Sequence, residues 1–201
     1  MDIKYLKKNI NQKFITEIEY YEELDSTHIL AKETNEKISK LIIADNQIGG
    51  IGTKGRKWHS EAYKNIAMTL VIFPNCNINK MKNFTIEIAK SIKEAIKNLY
   101  DYELTIKEPN DLLLNGKKIC GILTEARTLK NSVRELYISI GFNVNEKNFP
   151  DEIINIATSL NKEMNKEFNR EEIIIEILKY LEILIKKLLA NTWQLYLEML
   201  L

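Results

Sequence analysis

Short apolar runs separated by polar turns fill the middle of the chain and predict a sheet. Short runs rich in β-branched and aromatic side chains are typical of strands. The pair Asn115-Gly116 separates two of these runs and favours a type I′ hairpin turn. The predicted strands are residues 15–24, 40–44, 65–73, 103–107, 112–114, 118–127 and 135–144.

Helical spacing of apolar residues appears in fewer segments. The periodicity predicts helices over 28–36, 79–99 and 172–189. Asn169 followed three residues later by Glu172 is typical of a capped helix start. The charges of this last helix recur at helical spacing, which indicates an amphipathic packing helix rather than a membrane span. Few helices among many strands indicate a single α+β or α/β domain with a mixed, largely antiparallel sheet.

The charge balance narrows the classes of partner. At 201 residues the chain suits one compact domain, and 29 Lys and Arg against 28 Asp and Glu leave a net charge of +1. Nucleic-acid-binding domains carry a strong positive excess, so this balance argues against a nucleic-acid partner. The scattered Cys76, Cys120, His28 and His59 argue against a structural zinc site. Two lone cysteines and no signal-peptide pattern favour a cytoplasmic protein.

A glycine-rich loop after the second predicted strand is the first candidate for chemistry. Residues 49–55 contain four of the seven glycines of the chain, and Lys54, Arg56 and Lys57 add positive charge. Glycines expose backbone N–H groups, which together with basic side chains suit a phosphate or carboxylate. Trp58 offers a face on which a base can stack. The spacing matches neither a Walker nor a Rossmann loop, and an ordinary surface loop is the alternative interpretation.

The predicted hairpin around Asn115-Gly116 carries the second candidate. Its turn brings Asn110, Asp111 and Lys118 to one face. A lysine can neutralise the charge that develops on phosphate oxygens while an acyl adenylate forms, and a carboxylate oxygen can bind magnesium. An exposed hairpin with ordinary surface lysines is the alternative.

The third candidate is an apolar strand that ends in asparagines. The run over 138–145 contains Asn143, whose side chain is both a donor and an acceptor and could read the edge of an adenine. Turn-forming asparagines at a strand end are the alternative.

Taken in order, these segments resemble the catalytic domain of biotin–protein ligases. One block alone would be weak evidence, but an ordered set that spans about two thirds of the chain is specific. The matching blocks are Ser26-Thr27, Ala44-Asp45-Asn46-Gln47, the Gly50–Trp58 loop, Pro109-Asn110-Asp111, Lys118–Glu125, Gly141-Phe142-Asn143-Val144-Asn145 and Ala157-Thr158-Ser159-Leu160.

The resemblance implies an α+β fold of the biotin/lipoate ligase catalytic-domain type and a two-step reaction. Biotin and MgATP give biotinyl-5′-AMP, and a lysine of a biotin carboxyl carrier domain then takes the biotin. Lys118 is the implied catalytic residue, and Asp111 is the implied Mg²⁺ ligand. The implied biotin-binding residues are Ser26, Thr27, His28, Gln47, Gly50, Ile51, Gly52, Thr53, Lys118 and Gly121, and the implied adenylate-binding residues are Arg56, Trp58, Asn110 and Asn143.

The resemblance also implies the domain organisation and the partners. We expect a catalytic domain over 1–190, with 191–201 as a helical extension or tail. Only about 25 residues precede Ser26, too few for the DNA-binding winged helix of some larger members, and no C-terminal β-barrel is expected. The expected partner is the carrier domain of a biotin-dependent carboxylase, with neither nucleic acid nor membrane. A homodimer paired through exposed strand edges is possible.

Three departures from the family pattern leave alternatives open. Ile51 and Thr53 replace two arginines of the usual glycine-rich loop, His28 replaces an asparagine, and Glu108 replaces a tryptophan. Either the chain is an active variant in which Lys54 and Arg56 supply the charge, or it holds its adenylate loosely and labels nearby lysines, or it has lost the chemistry. A lipoate ligase or octanoyl transferase of similar fold, and a non-catalytic biotin-binding protein, are the competing functions.

Overall fold

A computed structural model gives the fold of residues 1–34 and 36–199, with side chains described up to residue 190. Within these residues the chain forms eight strands and five α-helices. The strands are β1 (Glu17–Leu24), β2 (Lys40–Gln47), β3 (Ile66–Ile72), β4 (Cys76–Asn77), β5 (Thr105–Lys107), β6 (Asp111–Leu114), β7 (Lys117–Leu129) and β8 (Ser132–Phe142). The helices are α1 (Ile3–Asn9), α2 (Thr27–Glu33), α3 (Phe84–Tyr100), α4 (Leu160–Met164) and α5 (Arg170–Met199).

All eight strands form one sheet, in the order β1-β2-β3-β8-β7-β6-β5, with the short β4 also paired to β8. Only the β1–β2 pair is parallel among the described strands, and every other pair is antiparallel. The expectation of a mixed, largely antiparallel sheet in an α+β fold is therefore confirmed. The parallel pair needs a crossover connection, which α2 supplies.

The two faces of the sheet are buried to different extents. Alternate residues of a strand point to opposite faces, so Leu41 and Ile43 of β2 join a large core with α3 and α5, while Ile42 joins a small cluster with Ala31 of α2. The amphipathic α3 presents residues such as Ile92 to the large core. Because α2 covers only part of the second face, that face has room for a ligand.

Local sequence signals explain several element ends. Asn115 and Gly116 have φ values of 51° and 79°, as a two-residue type I′ turn requires, and they connect β6 to β7. Asn169 accepts a hydrogen bond from Glu172 N at 3.0 Å, so the predicted cap of α5 is confirmed.

Several predicted boundaries were wrong. Helix α2 ends at Glu33, three residues early, and α3 begins at Phe84 after a separate 3₁₀ turn over Ile78–Met81. Strand β2 continues through polar residues to Gln47, because its last residues still pair with β1. The last helix continues past Leu189 to Met199, and positions 200–201 of the predicted extension lie outside the described residues.

A buried polar cluster holds β2 against the start of α5. The Asp45 carboxylate lies 2.7 Å from Nη1 of Arg170 and accepts hydrogen bonds from Tyr20 Oη at 2.6 Å and from the α-amino group of Met1 at 2.7 Å. Burial alone would raise the pKa of Asp45, but these hydrogen bonds and the Arg170 charge lower it. The carboxylate is therefore ionised and paired inside the protein.

No helix in the described part of the chain is both long enough and apolar enough to cross a bilayer.

Candidate active site

A cavity of about 530 Å³ lies on the sheet face that α2 leaves partly open. Its walls come from the start of α2, the loop over residues 51–59, the middle of β7 and β8, and the segment over 153–157. A volume of 300–1,000 Å³ is typical of small-molecule sites. Every residue predicted for the site from the sequence lines this cavity except Gly50.

Two glycines form the floor of the cavity, and the Trp58 indole lies on them. Gly121 of β7 and Gly141 of β8 are directly paired across the two strands. A Cβ atom at Gly141 would lie 2.5 Å from Cε2 of Trp58, and one at Gly121 would lie 2.7 Å from its Cζ3. The ring therefore packs on backbone at a distance that only glycine permits. The indole Nε1 is buried without a hydrogen-bond partner.

A β-bulge in β7 turns Lys118 toward this floor. The register of β6 against β7 shifts between Leu112 and Leu113, so Ile119 is the extra residue. Ile119 and Cys120 both point into the core, and Lys118 is left on the cavity face that it shares with Gly121. Without the bulge, strict alternation would place Lys118 and Gly121 on opposite faces.

The Lys118 ammonium is held at a defined point of the cavity wall. Its Nζ lies 2.7 Å from Asp111 Oδ1 and 5.2 Å from the centre of the Trp58 ring. The Lys118 backbone bonds Ile156 O at 2.7 Å and Thr158 N at 2.9 Å, so the segment that precedes α4 closes against it. The site thus has a half-buried cation beside an aromatic face and a carboxylate.

The glycine-rich loop folds as a small hairpin over the cavity. Ile51 bridges to Lys57, and Gly52 N donates to Arg56 O at 2.7 Å. Ile51 and Thr53 are half-buried and line the cavity, whereas Lys54 is exposed and is not part of its lining. Of the two basic residues considered as replacements for the missing arginines, the structure therefore brings only Arg56 to the site.

Gly50 lies behind the lining and permits the close approach of two neighbours. A Cβ atom there would lie 2.6 Å from Gln47 Nε2 and 2.8 Å from Trp58 O. Trp58 N donates to Gly50 O at 2.8 Å, which fixes the return of the loop. Gly50 is thus a residue that shapes the loop.

The opposite end of the cavity is polar. Ser26 caps α2, and both the backbone N–H and the hydroxyl of Thr27 donate to Gln47 Oε1, at 2.9 and 3.1 Å. His28 is buried beside them, and burial lowers its pKa although the nearby Glu125 opposes the shift. This end offers several hydrogen-bonding groups to a polar ligand.

The two predicted asparagines differ in their hydrogen bonding. Asn110 exchanges hydrogen bonds with Ile122, at 2.9 and 3.1 Å, and this holds the turn before β6 against β7. Asn143 donates from Nδ2 to Thr158 O at 3.0 Å, which leaves its buried Oδ1 without a partner. A buried acceptor without a donor is costly, so Asn143 Oδ1 is ready for a ligand donor.

A protein-family model matches the part of the chain that builds most of the cavity. The model described as the biotin/lipoate A/B protein ligase family matches residues 20–145, which include most of the cavity wall. The chain belongs to this family.

Individual relatives in the family carry specific names. The chain is 37% identical over 164 residues, 79% of its length, to the bifunctional ligase/repressor BirA of Bacillus subtilis (strain 168), and this alignment covers 50% of that protein. It is 33% identical over 108 residues to the biotin–[acetyl-CoA-carboxylase] ligase of Paracoccus denitrificans, covering 53% of this chain and 45% of that one. The chain spans about half the length of the curated relatives that it matches.

Solved structures of biotin protein ligases have a fold similar to that of this chain. The biotin protein ligase from Aquifex aeolicus in complex with biotin and ATP superposes with a TM-score of 0.72 at 28% identity, covering 88% of this chain and 72% of that one. The biotin protein ligase from Leishmania major in complex with biotinyl-5-AMP gives 0.70 at 21% identity, covering 89% of this chain and 80% of that one, a likeness of fold alone.

Sequence reasoning missed several residues that line the cavity. Ser139 of β8 lies two positions before Gly141 and so shares its face, and period-two alternation would have found it. His59 lines the cavity beside Trp58, and its Nε2 lies 2.7 Å from Oε1 of the fully buried Glu146. Phe149 lies in a loop without periodicity, so no local signal indicated it.

Few of the residues that line the cavity could bind a metal ion. Among the described residues, the only cluster of three potential metal-binding side chains is Glu17, Glu19 and Glu36, which is not part of the cavity. Lys40 Nζ already lies 2.5 Å from Glu19 and 3.0 Å from Glu36, and so neutralises that cluster. In the cavity, Asp111 contributes one carboxylate.

Proposed function

We propose that this chain is a biotin–protein ligase, which activates biotin with ATP and transfers it to a lysine of a biotin carboxyl carrier domain. One observation carries the proposal: residues from all seven blocks that resemble the ligase motifs converge on one cavity of suitable size. The names of the relatives and the biotin and ATP bound to the Aquifex aeolicus protein support it.

Biotin would lie with its ureido ring at the polar end of the cavity. Thr27 and Gln47 offer hydroxyl and amide groups there, and the apolar part of the cavity lining can hold the thiophene ring and the valeryl chain. This orientation directs the carboxylate toward Lys118, which lies at the far side of the same floor. The ends of the cavity thus match a ligand that is polar at both ends.

In the first step, a biotin carboxylate oxygen attacks the α-phosphorus of ATP, and the bond to pyrophosphate breaks. The ammonium of Lys118 would contact the oxygen that joins carbonyl and phosphorus and would stabilise the negative charge there. The Asp111 carboxylate, 2.7 Å away, keeps this ammonium in place before the nucleotide arrives.

The adenine would be held by Trp58 and Asn143. The unpartnered Oδ1 of Asn143 can accept from the adenine amino group, and the indole offers an aromatic face. Arg56 lies at the mouth of the cavity, where a guanidinium can contact phosphate oxygens. Asn110 contributes by holding the turn that carries Asp111.

The cavity fits a magnesium ion that arrives with the nucleotide. Protein-bound Mg²⁺ usually takes one or two carboxylates, with phosphate oxygens and water completing the shell. Asp111 offers a donor of this type at the cavity wall. The bound ion would withdraw charge from the phosphate oxygens.

In the second step, the neutral amine of a carrier lysine attacks the biotinyl carbonyl carbon. An amide bond forms, the bond to the phosphate oxygen breaks, AMP leaves, and the amine loses a proton to solvent. The loop hairpin must leave the carbonyl accessible to a lysine side chain, so we expect the carrier domain to approach on the loop side.

The decisive experiment is mass spectrometry of a purified carrier domain after incubation with the chain, biotin and MgATP. One added biotin per carrier domain is expected, with loss of most of this product in Lys118→Ala. Lys117→Ala is the matched control, because Lys117 lies next in the same strand but outside the cavity lining. Equal labelling by both variants would contradict the assigned role of Lys118, and no labelling by the unmodified chain would refute the proposal.

Two competing functions have distinct signatures. A lipoate ligase or octanoyl transferase, which the family description also covers, would bind lipoate in preference to biotin in a calorimetric titration. A non-catalytic biotin-binding protein would bind biotin without releasing pyrophosphate. We expect pyrophosphate release that depends on both biotin and ATP, with no heat from lipoate.

The remaining assignments stay predictions. We propose a cytoplasmic location, since Cys76 and Cys120 are free thiols. The catalytic domain over 1–190 and the absence of a nucleic-acid partner follow from the sequence alone. A homodimer would use an edge strand such as β1, and analytical ultracentrifugation would detect it.

A further inference from the structure

A chain of hydroxyl groups crosses three strands beneath the polar end of the cavity. Gln47 Oε1 lies 3.1 Å from the Thr27 hydroxyl, which lies 2.9 Å from the hydroxyl of Thr69. Thr69 lies 2.8 Å from the hydroxyl of Ser139, which lies 2.8 Å from Nδ1 of His28. This hydrogen-bond chain therefore connects Gln47, which lines the cavity, to the buried imidazole of His28.

The other imidazole nitrogen faces charged groups. His28 Nε2 lies 3.2 Å from Oε1 of Glu125 on β7 and makes no hydrogen bond of good geometry. The other oxygen of Glu125 binds Lys32 Nζ of α2 at 2.6 Å, and this bond lowers the pKa of Glu125. From β8, Tyr137 presents its ring edge-on, with centroids 6.3 Å apart. His28 thus has one charged neighbour of each sign.

Counting hydrogens gives the direction of this chain in the ligand-free protein. Gln47 Oε1 accepts a hydrogen bond from the Thr27 backbone N–H at 2.9 Å, so the amide oxygen of Gln47 faces Thr27. The Thr27 hydroxyl must therefore also donate to Gln47 Oε1. Each hydroxyl has one hydrogen to donate. The Thr69 hydroxyl must then donate to Thr27, and Ser139 must donate to Thr69. The remaining donor for Ser139 is Nδ1–H of His28.

A ligand that donates an N–H to this wall reverses the chain. An N–H placed between Gln47 Oε1 and Thr27 Oγ1 supplies the hydrogen that the Thr27 hydroxyl otherwise provides. Thr27 can then donate to Thr69, Thr69 to Ser139, and Ser139 to Nδ1 of His28. The hydrogen of His28 moves to Nε2, where it faces the Glu125 carboxylate.

We propose that His28 is a positioning residue whose tautomer sets the donor or acceptor character of Thr27 and Gln47 toward an N–H-donating ligand. The proposal rests on the proposed function, in which the cyclic urea of biotin is that ligand. A doubly protonated His28 must keep its Nδ1–H, which donates to Ser139. The hydrogen bonds then keep the direction that they have without a ligand. Binding therefore requires a neutral imidazole, and ligand binding to the protonated protein releases one proton.

The sign of the pH dependence follows. Burial is the largest influence on the pKa of His28 and lowers it below its ordinary value of 6.5, while Glu125 raises it and Lys32 lowers it. At pH values above the pKa of His28 the imidazole is neutral, and the affinity for biotin does not vary with pH. Below the pKa of the free protein, we expect the Kd for biotin to rise by about tenfold per pH unit, since one proton is lost on binding.

The first test uses the imidazole nitrogens themselves. Long-range ¹H–¹⁵N spectra distinguish Nδ1–H from Nε2–H. The protein has two histidines, so the spectrum of the variant His59→Asn assigns the signals of His28. We expect the Nδ1–H tautomer in free protein at pH 7.5 and the Nε2–H tautomer with biotin bound. The same tautomer in both states would overturn the proposal.

The second test is calorimetry with biotin between pH 5 and 8 in two buffers of different ionisation enthalpy. We expect weaker binding with proton release at low pH in the unmodified protein, and a pH-independent Kd in His28→Asn. A Kd independent of pH in the unmodified chain would overturn the proposal. Absence of biotin binding at every pH would instead refute the proposed function, and the free-protein tautomer would still test the direction of the chain.

Discussion

The contact between Trp58 and the glycine floor predicts a large effect from a single methyl group. In Gly141→Ala, the new Cβ would lie 2.5 Å from Cε2, 2.7 Å from Nε1 and 2.8 Å from Cζ2 of the indole. Non-bonded carbons prefer 3.5–4.0 Å, so the ring must retreat by roughly 1.0–1.5 Å. The ring can move, because Trp58 is half-buried on a loop, whereas Gly141 lies in the central strand β8.

Because the loop absorbs the displacement, stability and activity should separate. We expect the free energy of unfolding to fall by less than about 1 kcal/mol, below the roughly 1–3 kcal/mol of a core that cannot yield. Misplacement by 1 Å can cost about 10²-fold in rate, and we expect a loss of that size in biotin-dependent pyrophosphate release.

The assay combines urea denaturation, pyrophosphate release and tryptophan fluorescence. In a Trp193→Phe background Trp58 is the only tryptophan, so a red-shifted emission would report its retreat. A double-mutant cycle with Trp58→Ala is the control, since Gly141→Ala should cost little once the ring is gone. Unchanged emission together with unchanged pyrophosphate release in Gly141→Ala would refute the packing argument.

Four further predictions concern three parts of the molecule. Lys118→Ala should slow pyrophosphate release by roughly 10²–10³-fold and change the unfolding free energy by less than about 1 kcal/mol; retention of half the rate would exclude Lys118 from the chemistry. Ile51→Arg combined with Thr53→Arg should reduce the biotin labelling of bulk serum protein, and unchanged labelling by mass spectrometry would remove the idea of a loosely held adenylate. Arg170→Leu should destabilise the fold by about 1.5–3 kcal/mol in urea denaturation, because the buried Asp45 carboxylate loses one charged partner and keeps only Tyr20 and the α-amino group of Met1. The pKa of Asp45 is lowered in the folded state, so ionised Asp45 stabilises the fold at pH values above its ordinary pKa of 3.8. This stabilisation is lost as the pH falls through the pKa of the folded state. The loss of stability in acid should therefore be smaller in Asp45→Asn.

Much of the fold could be predicted because its signals are local. The Asn115-Gly116 turn depends on residues that tolerate positive φ, and the Asn169 cap depends on one side chain and one backbone N–H. Apolar runs located every strand longer than two residues. The exact ends of α2 and β2 could not be predicted, because pairing with β1 and packing beneath the sheet determine where those elements stop.

Many residues of the site could also be predicted, but much of its geometry could not. The predicted hairpin already placed Asp111 and Lys118 on one face, but only the bulge at Ile119 puts Gly121 on that same face. Likewise, Lys54 and Arg56 look equivalent in the sequence, yet only Arg56 lines the cavity, since the loop turns between them. Such details depend on how segments of the chain pack together rather than on a local pattern.

By itself the sequence determined which chemical groups this protein has and in what order they occur, and this sufficed to predict the fold class and the family. Tertiary structure decided which of those groups act together. The hydroxyls of Thr69 and Ser139 are 70 residues apart, and neither belongs to a recognisable motif. They connect His28 to Gln47 only because neighbouring strands bring them within hydrogen-bonding distance, and the direction of such a chain depends on all of its members together.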